Sequence, residues 1–300
     1  MSDSKLISGK QRFFAKAILA ARSSYWQDAR SSFVLSTGRT GTETLARLLD
    51  LSAEISAFHE PRPQLMAERM TAFREVRTQP TRYAEIFSKA RSVPLAASKL
   101  SGKMYAETSA RLTFFAPVIS DLLKNAKFVY LYRHPGSVVR SGMRRGWYDG
   151  HPADRYRITP PEDSDAARHW ANWSRFSKIC WYWAAYNEFA LEFIEHLNPS
   201  RVLAIRSEEL FDADTGKWSD IFDFLEVQAP NRVEVEQTLG ARHNEQVKGD
   251  FPRYEQWSSE QHEILERVAG LTMAKLGLES NGEPPEHSTS DPRTGAFREF

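Results

Sequence analysis

Three groups of residues in this chain have the types and spacing that chemistry on an anionic ligand needs. The first follows the apolar run Phe33-Val34-Leu35 and reads Ser36-Thr37-Gly38-Arg39-Thr40-Gly41-Thr42-Glu43-Thr44. Gly38 and Gly41 let the backbone turn tightly and approach a ligand closely. Successive N–H groups in such a loop form an anion nest, and a helix beginning there adds its dipole. Thr40, Thr42 and Thr44 offer hydroxyl donors, while Arg39 offers a permanently charged fork. A loop that serves ATP ends in Gly-Lys-Ser/Thr, with lysine at the terminal phosphates and a hydroxyl on magnesium. Here that lysine is missing, and an arginine stands in mid-loop instead.

The second group is Arg133-His134-Pro135 with Ser141, eight residues after Arg133. The residue before a proline avoids helical angles, so an apolar run over 127–132 ends there and a helix starts near Pro135. Residues 127–157 hold seven Lys/Arg and two Asp, a local net of +5 in a chain whose net charge is +1. The third group supplies candidate bases. His59 and Glu60 stand in AFHEPRPQ, after the apolar run 54–59, and Glu107 ends the run MYAE. Any of the three suits the removal of a proton from an alcohol. Neighbours on a strand point to opposite faces, so only one of His59 and Glu60 is expected to reach a cleft.

Positioning these groups requires a sheet edge. Five short apolar runs (33–37, 54–59, 104–107, 127–132 and 201–206) alternate with helical patterns at 42–51, 63–91, 111–124, 135–145 and 166–197. Continuous apolar strands separated by helices predict an α/β fold, a central parallel sheet of about five strands flanked by helices in three layers. Ligands of such sheets bind at the carboxyl ends of the strands, which is where all three groups fall. Residues 146–165, rich in Gly, Pro and Asp, read as a long binding loop. Further helices are expected at 215–226 and 258–277. Aromatic residues from Trp170 to Phe193 recur at helical spacing and read mostly as core, with one or two left to line an acceptor pocket. The organisation expected is an N-terminal helical segment (1–30), a domain at 31–278 and a disordered tail at 279–300. The helix over 5–27 is mildly amphipathic, with Lys and Arg between its apolar residues; packing on its own domain and peripheral contact with a membrane surface both fit it.

Composition narrows the class. With 41% hydrophobic and 26% charged residues the chain reads as an ordinary globular protein, and its near-zero net charge argues against nucleic acid as a partner. A single cysteine excludes an internal disulfide framework and a cysteine-based zinc cluster. With no leader-like or membrane-spanning run, a reduced, cytoplasmic location is the expectation.

Taken together, Arg39-Thr40-Gly41-Thr42-Glu43 and Arg133-His134-Pro135 with Ser141 resemble the two nucleotide motifs of the sulfotransferase family. The likeness extends over about residues 32–278, through RVLAIRSEELFDADTGKWSDIFDFLEV and VKGDFPRYEQWSSEQHEILERVAG. It implies a P-loop-like fold and transfer of a sulfuryl group from 3′-phosphoadenosine-5′-phosphosulfate (PAPS) to a small-molecule or glycan acceptor. The product is the 3′,5′-bisphosphate (PAP), and no metal is expected. By the resemblance, Gly38 to Thr44 cradle the 5′-phosphosulfate, and Arg39 stabilises charge on the leaving phosphate. Arg133 and Ser141 hold the 3′-phosphate, and Lys248 and Gly249 reach it too. Glu60 sits where several members carry a Glu-Pro whose glutamate is the base, so it is preferred to His59, with Glu107 next. Glu43 departs from the family's usual threonine, and Thr108 stands where some sugar-directed members carry a lysine. Two other readings fit the first loop alone: a P-loop kinase, and a non-catalytic nucleotide-binding protein.

Overall fold

The computed structural model describes residues 9–241 and 249–278. Strands β1 (Ser31–Leu35), β2 (Ile55–Phe58), β3 (Met104–Glu107), β4 (Lys127–Tyr132) and β5 (Val202–Arg206) coincide with the five apolar runs. They pair in parallel in the order β2-β3-β1-β4-β5. Phe33 of β1 is in register with Glu107 on one side and Phe128 on the other. The carboxyl end of β1 thus lies between those of β3 and β4, where the strand order reverses and parallel sheets open a crevice.

Helices cover both faces. α1 (Gly9–Ala21) precedes β1, and α2 (Thr42–Asp50) follows it; α3 (Met66–Glu75) and α4 (Pro80–Leu100) lie between β2 and β3. After β3 comes a 3-10 turn at Ala110–Phe115 running into α5 (Ala116–Leu122). α6 (Pro135–Arg144), α7 (Asp165–Trp170) and α8 (Arg175–Glu195) follow β4. α9 (Ser207–Leu210), α10 (Trp218–Leu225), α11 (Arg232–Gly240) and α12 (Ser259–Lys275) follow β5.

β1 is buried along its whole length. Its Val34 joins Leu45, Leu48 and Leu49 of α2 in one core, while Phe33 and Leu35 face a second core built with α4, α5, α8 and α12. The three α2 leucines recur at i, i+3 and i+4, and burying each contributes roughly 1.5–3 kcal/mol. That packing fixes the helix whose first turn faces the cleft. α1 lies against α4 with Ala17 fully buried, whereas Phe14 and Leu19 are exposed. Residues 5–8 of the expected N-terminal helix and the expected tail at 279–300 lie outside the described residues. Among the described residues no helix is long and apolar enough to cross a membrane.

The structure divides helices that the sequence reads as continuous. The pattern at 63–91 is two helices, because Gln79 precedes Pro80 and leaves helical geometry (φ −127°, ψ 50°). The pattern at 166–197 breaks before α8, where the Ser174 hydroxyl accepts from the Ser177 N–H and starts a new helix. α9 and α11 were not expected from the sequence.

Candidate active site

A cleft of about 840 Å3 opens over the carboxyl ends of β1, β2 and β4. One wall is the loop after β1. Its Ser36 hydroxyl accepts from the Gly38 N–H at 2.9 Å and sits 2.6 Å from the Thr40 hydroxyl. Thr113 exchanges two bonds with the Ser36 backbone, at 3.0 and 2.9 Å, tying the loop to the 110–115 turn. Gly38, Arg39 and Gly41 all adopt positive φ (76°, 62° and 86°). Arg39 therefore holds a conformation rare for a residue with a side chain, as functional loops often do. Gly41 caps α2, and a Cβ there would run into the Phe211 ring.

Gly38, Arg39, Gly41, Thr42, Glu43 and Thr44 line the cleft. Thr40 does not: it is fully buried, with its hydroxyl against Ser36 and its carbonyl accepting from Ser207. Its expected hydroxyl donation to a ligand is corrected to an internal brace. Glu43 lies 3.1 Å from Arg47, one turn along α2.

The second motif meets the first directly. Arg39 Nε donates to Ser141 Oγ at 3.0 Å, and Arg133 Nη1 donates to the Arg39 carbonyl at 3.0 Å. Arg133 is held in turn through its own carbonyl, which accepts from the Trp183 indole at 3.0 Å. Burial, with repulsion from Arg145 and Arg133, pushes the Arg39 guanidinium down to about 10. It keeps its charge at neutral pH in a crowd of like charges, which an anion would relieve. Across α6, Gly136 leaves room for Tyr254: a Cβ there would lie 2.7 Å from the tyrosine side chain. Arg144 Nε donates to the Gly249 carbonyl at 2.9 Å. Gly249 is thus moored to α6 without lining the cleft, and Lys248 lies outside the described residues.

On the other wall, β2 ends at Phe58, and Glu60 turns into the left-handed region (φ 46°). Strand alternation stops there, so both His59 and Glu60 line the cleft, against the expectation that only one would. His59 Nδ1 is 3.0 Å from the Thr108 carbonyl. The Thr108 hydroxyl lies 3.1 Å from the same nitrogen. Where Nδ1 donates to the carbonyl, Nε2 keeps its lone pair. Glu60 Oε2 lies 2.7 Å from Arg111 Nη1, a charge contact off the hydrogen-bond axis.

Glu107 is corrected from candidate base to strut. It is buried outside the cleft lining, gripped by Arg91 through two bonds of 2.7 and 3.0 Å and by the Tyr105 hydroxyl at 2.6 Å. Arg91 also donates to the carbonyls of Pro61 and Pro63, so the Glu107–Arg91 pair holds the segment carrying Glu60.

Several cleft arginines escape a reading by motif. Arg69 of α3 and Arg111 of the 110–115 turn join Arg140, Arg144 and Arg145 near α6, with Arg157 and Arg253 beyond. With Arg39 and Arg133, the described lining carries nine arginines against three glutamates, a net of six. The legible signal for Arg69 was its place on an apolar helix face, three residues from both Met66 and Ala72. The aromatics that line the cleft are Trp147, Tyr182 and Tyr254, while Trp183, Tyr186 and Phe189 of the long aromatic helix are core. Among the described residues no His, Cys, Asp and Glu are grouped as a metal site.

Comparison with known proteins agrees with this architecture. A family model described as a sulfotransferase domain matches residues 29–264. No curated protein matches the sequence. Among solved structures, the sulfotransferase STF9 from Mycobacterium avium is 12% identical, with a TM-score of 0.54, over 94% of this chain and 89% of that one. A sulfotransferase domain from the curacin biosynthetic pathway is 19% identical over 83% and 97%, with a TM-score of 0.48. Mouse sulfotransferase SULT7A1, solved with PAP, is 15% identical over 86% and 88%, with a TM-score of 0.45.

Proposed function

The chain belongs to the sulfotransferase family, and from that membership we propose how its cleft residues carry out sulfuryl transfer from PAPS to an acceptor. The kinase and non-catalytic readings are set aside by it. When bound, the donor supplies a sulfuryl group joined through oxygen to a phosphate. The cleft fits such a group: a nest of left-handed residues, a helix N-terminus, and arginines whose charges crowd Arg39.

The observation that carries the reading is the chain Arg133–Arg39–Ser141, which makes one site of two motifs far apart in sequence. In it the Gly38–Thr44 loop binds the 5′-phosphosulfate, and Arg133 and Ser141 hold the 3′-phosphate. Arg39 meets the charge that grows on the departing phosphate. Glu60 takes the acceptor proton as the acceptor oxygen bonds to sulfur and the old S–O bond breaks. Its place within reach of Arg39's charge supports that role. A second assignment, His59 as base, is favoured by the Thr108 carbonyl 3.0 Å from Nδ1, which as acceptor leaves the lone pair on Nε2.

Calorimetric titration with PAP and with AMP tests the donor site. A charge-assisted hydrogen bond is worth roughly 1.5–3 kcal/mol. PAP should therefore bind at least about tenfold more tightly than AMP, with the gap closing in Arg133→Ala. Equal affinities in the unaltered protein would remove the 3′-phosphate assignment.

A further inference from the structure

We propose that Arg69 and Arg111, beside Glu60, bind an oxyanion carried by the acceptor. The substrate class is then an acidic alcohol, one whose hydroxyl is sulfated while a carboxylate, sulfate ester or phosphate ester on the same molecule is held by this pair. The inference rests on the reading of the cleft as a sulfuryl-transfer site with the reacting hydroxyl at Glu60.

Arg69 is only 8% exposed yet lines the cleft. Its Nη2 donates to the Tyr156 carbonyl at 2.5 Å, but its buried Nε–H has no partner among the described residues. A guanidinium does not shed its proton to escape burial, and native proteins rarely leave such a donor unmet. Arg111, its side chain 15% exposed, lies 2.7 Å from Glu60, whose charge also acts on Arg69: a half-buried and a buried cation draw on one carboxylate. Burial works against the Arg111 charge, Glu60 supports it and Arg69 opposes it.

Arg111 stands in the turn that Thr113 ties to the donor loop, but its charge answers to different neighbours from those of Arg39. Apart from burial, the charges acting most on Arg39 are Arg145, Arg133, Glu60 and Glu43. Those acting on Arg111 are Glu60, Arg69, Tyr186 and Tyr182. Glu60 is the member common to both ends, as befits the group at the reacting hydroxyl. A water molecule or a neutral alcohol would satisfy the Arg69 N–H, but neither offsets the charge of the two guanidiniums as an oxyanion does.

The test uses the full-length protein, first titrated with PAP and then, in the PAP complex, with inorganic sulfate. Sulfate should bind, and Arg111→Gln should weaken it roughly ten- to hundredfold. Arg69→Gln should do the same, whereas Arg39→Gln should weaken it less than Arg111→Gln does. Arg69 is the deeper residue, so Arg111→Gln decides if Arg69→Gln does not fold. Sulfate affinity unchanged in Arg111→Gln, or lost only in Arg39→Gln, overturns the proposal. Failure to bind PAP would count against the donor site alone; sulfate dependence on Arg111 is then read in the free protein and decides this site separately. A second arm compares transfer from labelled PAPS to 4-hydroxyphenylacetate and to its neutral amide. A preference for the acid in kcat/KM that vanishes in Arg111→Gln places the oxyanion on the acceptor. Equal use of acid and amide would mean that the pair holds a free anion, and the proposal falls.

Discussion

At the scale of single residues, Arg39 is the most exposed to test. It is strained (φ 62°), bonded through Nε to Ser141, and held by Arg133 through its carbonyl. A group kept in place at such cost of conformation suits a charge that develops late, on the leaving phosphate, rather than one present throughout binding. Arg39→Ala should lower kcat by roughly 10²–10³ and weaken PAP binding by much less. Steady-state kinetics beside PAP titration separates the two. An unchanged kcat with a raised donor KM would reduce Arg39 to a binding residue. The base is decided by a pair of variants. Glu60→Gln should lose roughly 10²–10⁴ in rate with PAP affinity kept, and His59→Asn should keep most activity. The reverse pattern assigns the proton to His59 Nε2 instead.

At the scale of elements, the Glu60 segment depends on a strut outside the cleft. Glu107 ends β3, Arg91 comes from α4, and both side chains are almost wholly buried. Removing one partner of a buried ion pair strands the other charge, typically at about 3–5 kcal/mol. Glu107→Gln should therefore lower the denaturation midpoint and also slow transfer, because Arg91 loses the anchor from which it reaches the Pro61 and Pro63 carbonyls. A variant of normal stability and normal rate would break this chain of support. Such linkages explain what the sequence could and could not disclose. The inner strands β1, β3 and β4 were legible because strands buried on both faces are written as apolar runs, and the half-buried edge strands β2 and β5 because short apolar runs between helical patterns mark them too. That the loop after β1 and the Arg133–Ser141 segment would meet was legible because each is a local pattern placed at a strand end. Glu107 misled as a candidate base because its partner stands 16 residues away on another element, a pairing that only the fold creates. The His59/Glu60 alternation failed because β2 stops one residue before it would apply. Arg69, Arg111 and Arg253 reach the cleft from three separate elements, and no local spacing joins them.

At the scale of the whole molecule, charge is redistributed rather than abundant. The chain nets +1, yet its described cleft lining nets six positive charges, so acids elsewhere on the surface balance a basic interior wall. Donor binding should then be strong at contact and weak at a distance, and it should couple to folding. A ligand at a hundred times its Kd stabilises the native state by about 2.7 kcal/mol. For a chain of this size that lifts the thermal midpoint by roughly 4–5 °C. The arginines are only partly withdrawn from water, so part of the attraction is screened as the Debye length shrinks from about 10 Å at 0.1 M salt to about 3 Å at 1 M. The PAP-induced rise in midpoint, at fixed PAP concentration, should accordingly shrink across that range of sodium chloride. Part of it should persist, because the hydrogen bonds of the left-handed loop and the helix N-terminus are short-ranged and screened little. Thermal melts with and without PAP at the two salt concentrations check both halves. A shift unaffected by salt would mean that the arginine excess contributes nothing to holding the nucleotide. A shift abolished by salt would mean that the loop's backbone donors contribute nothing, and the nest would lose its assigned role.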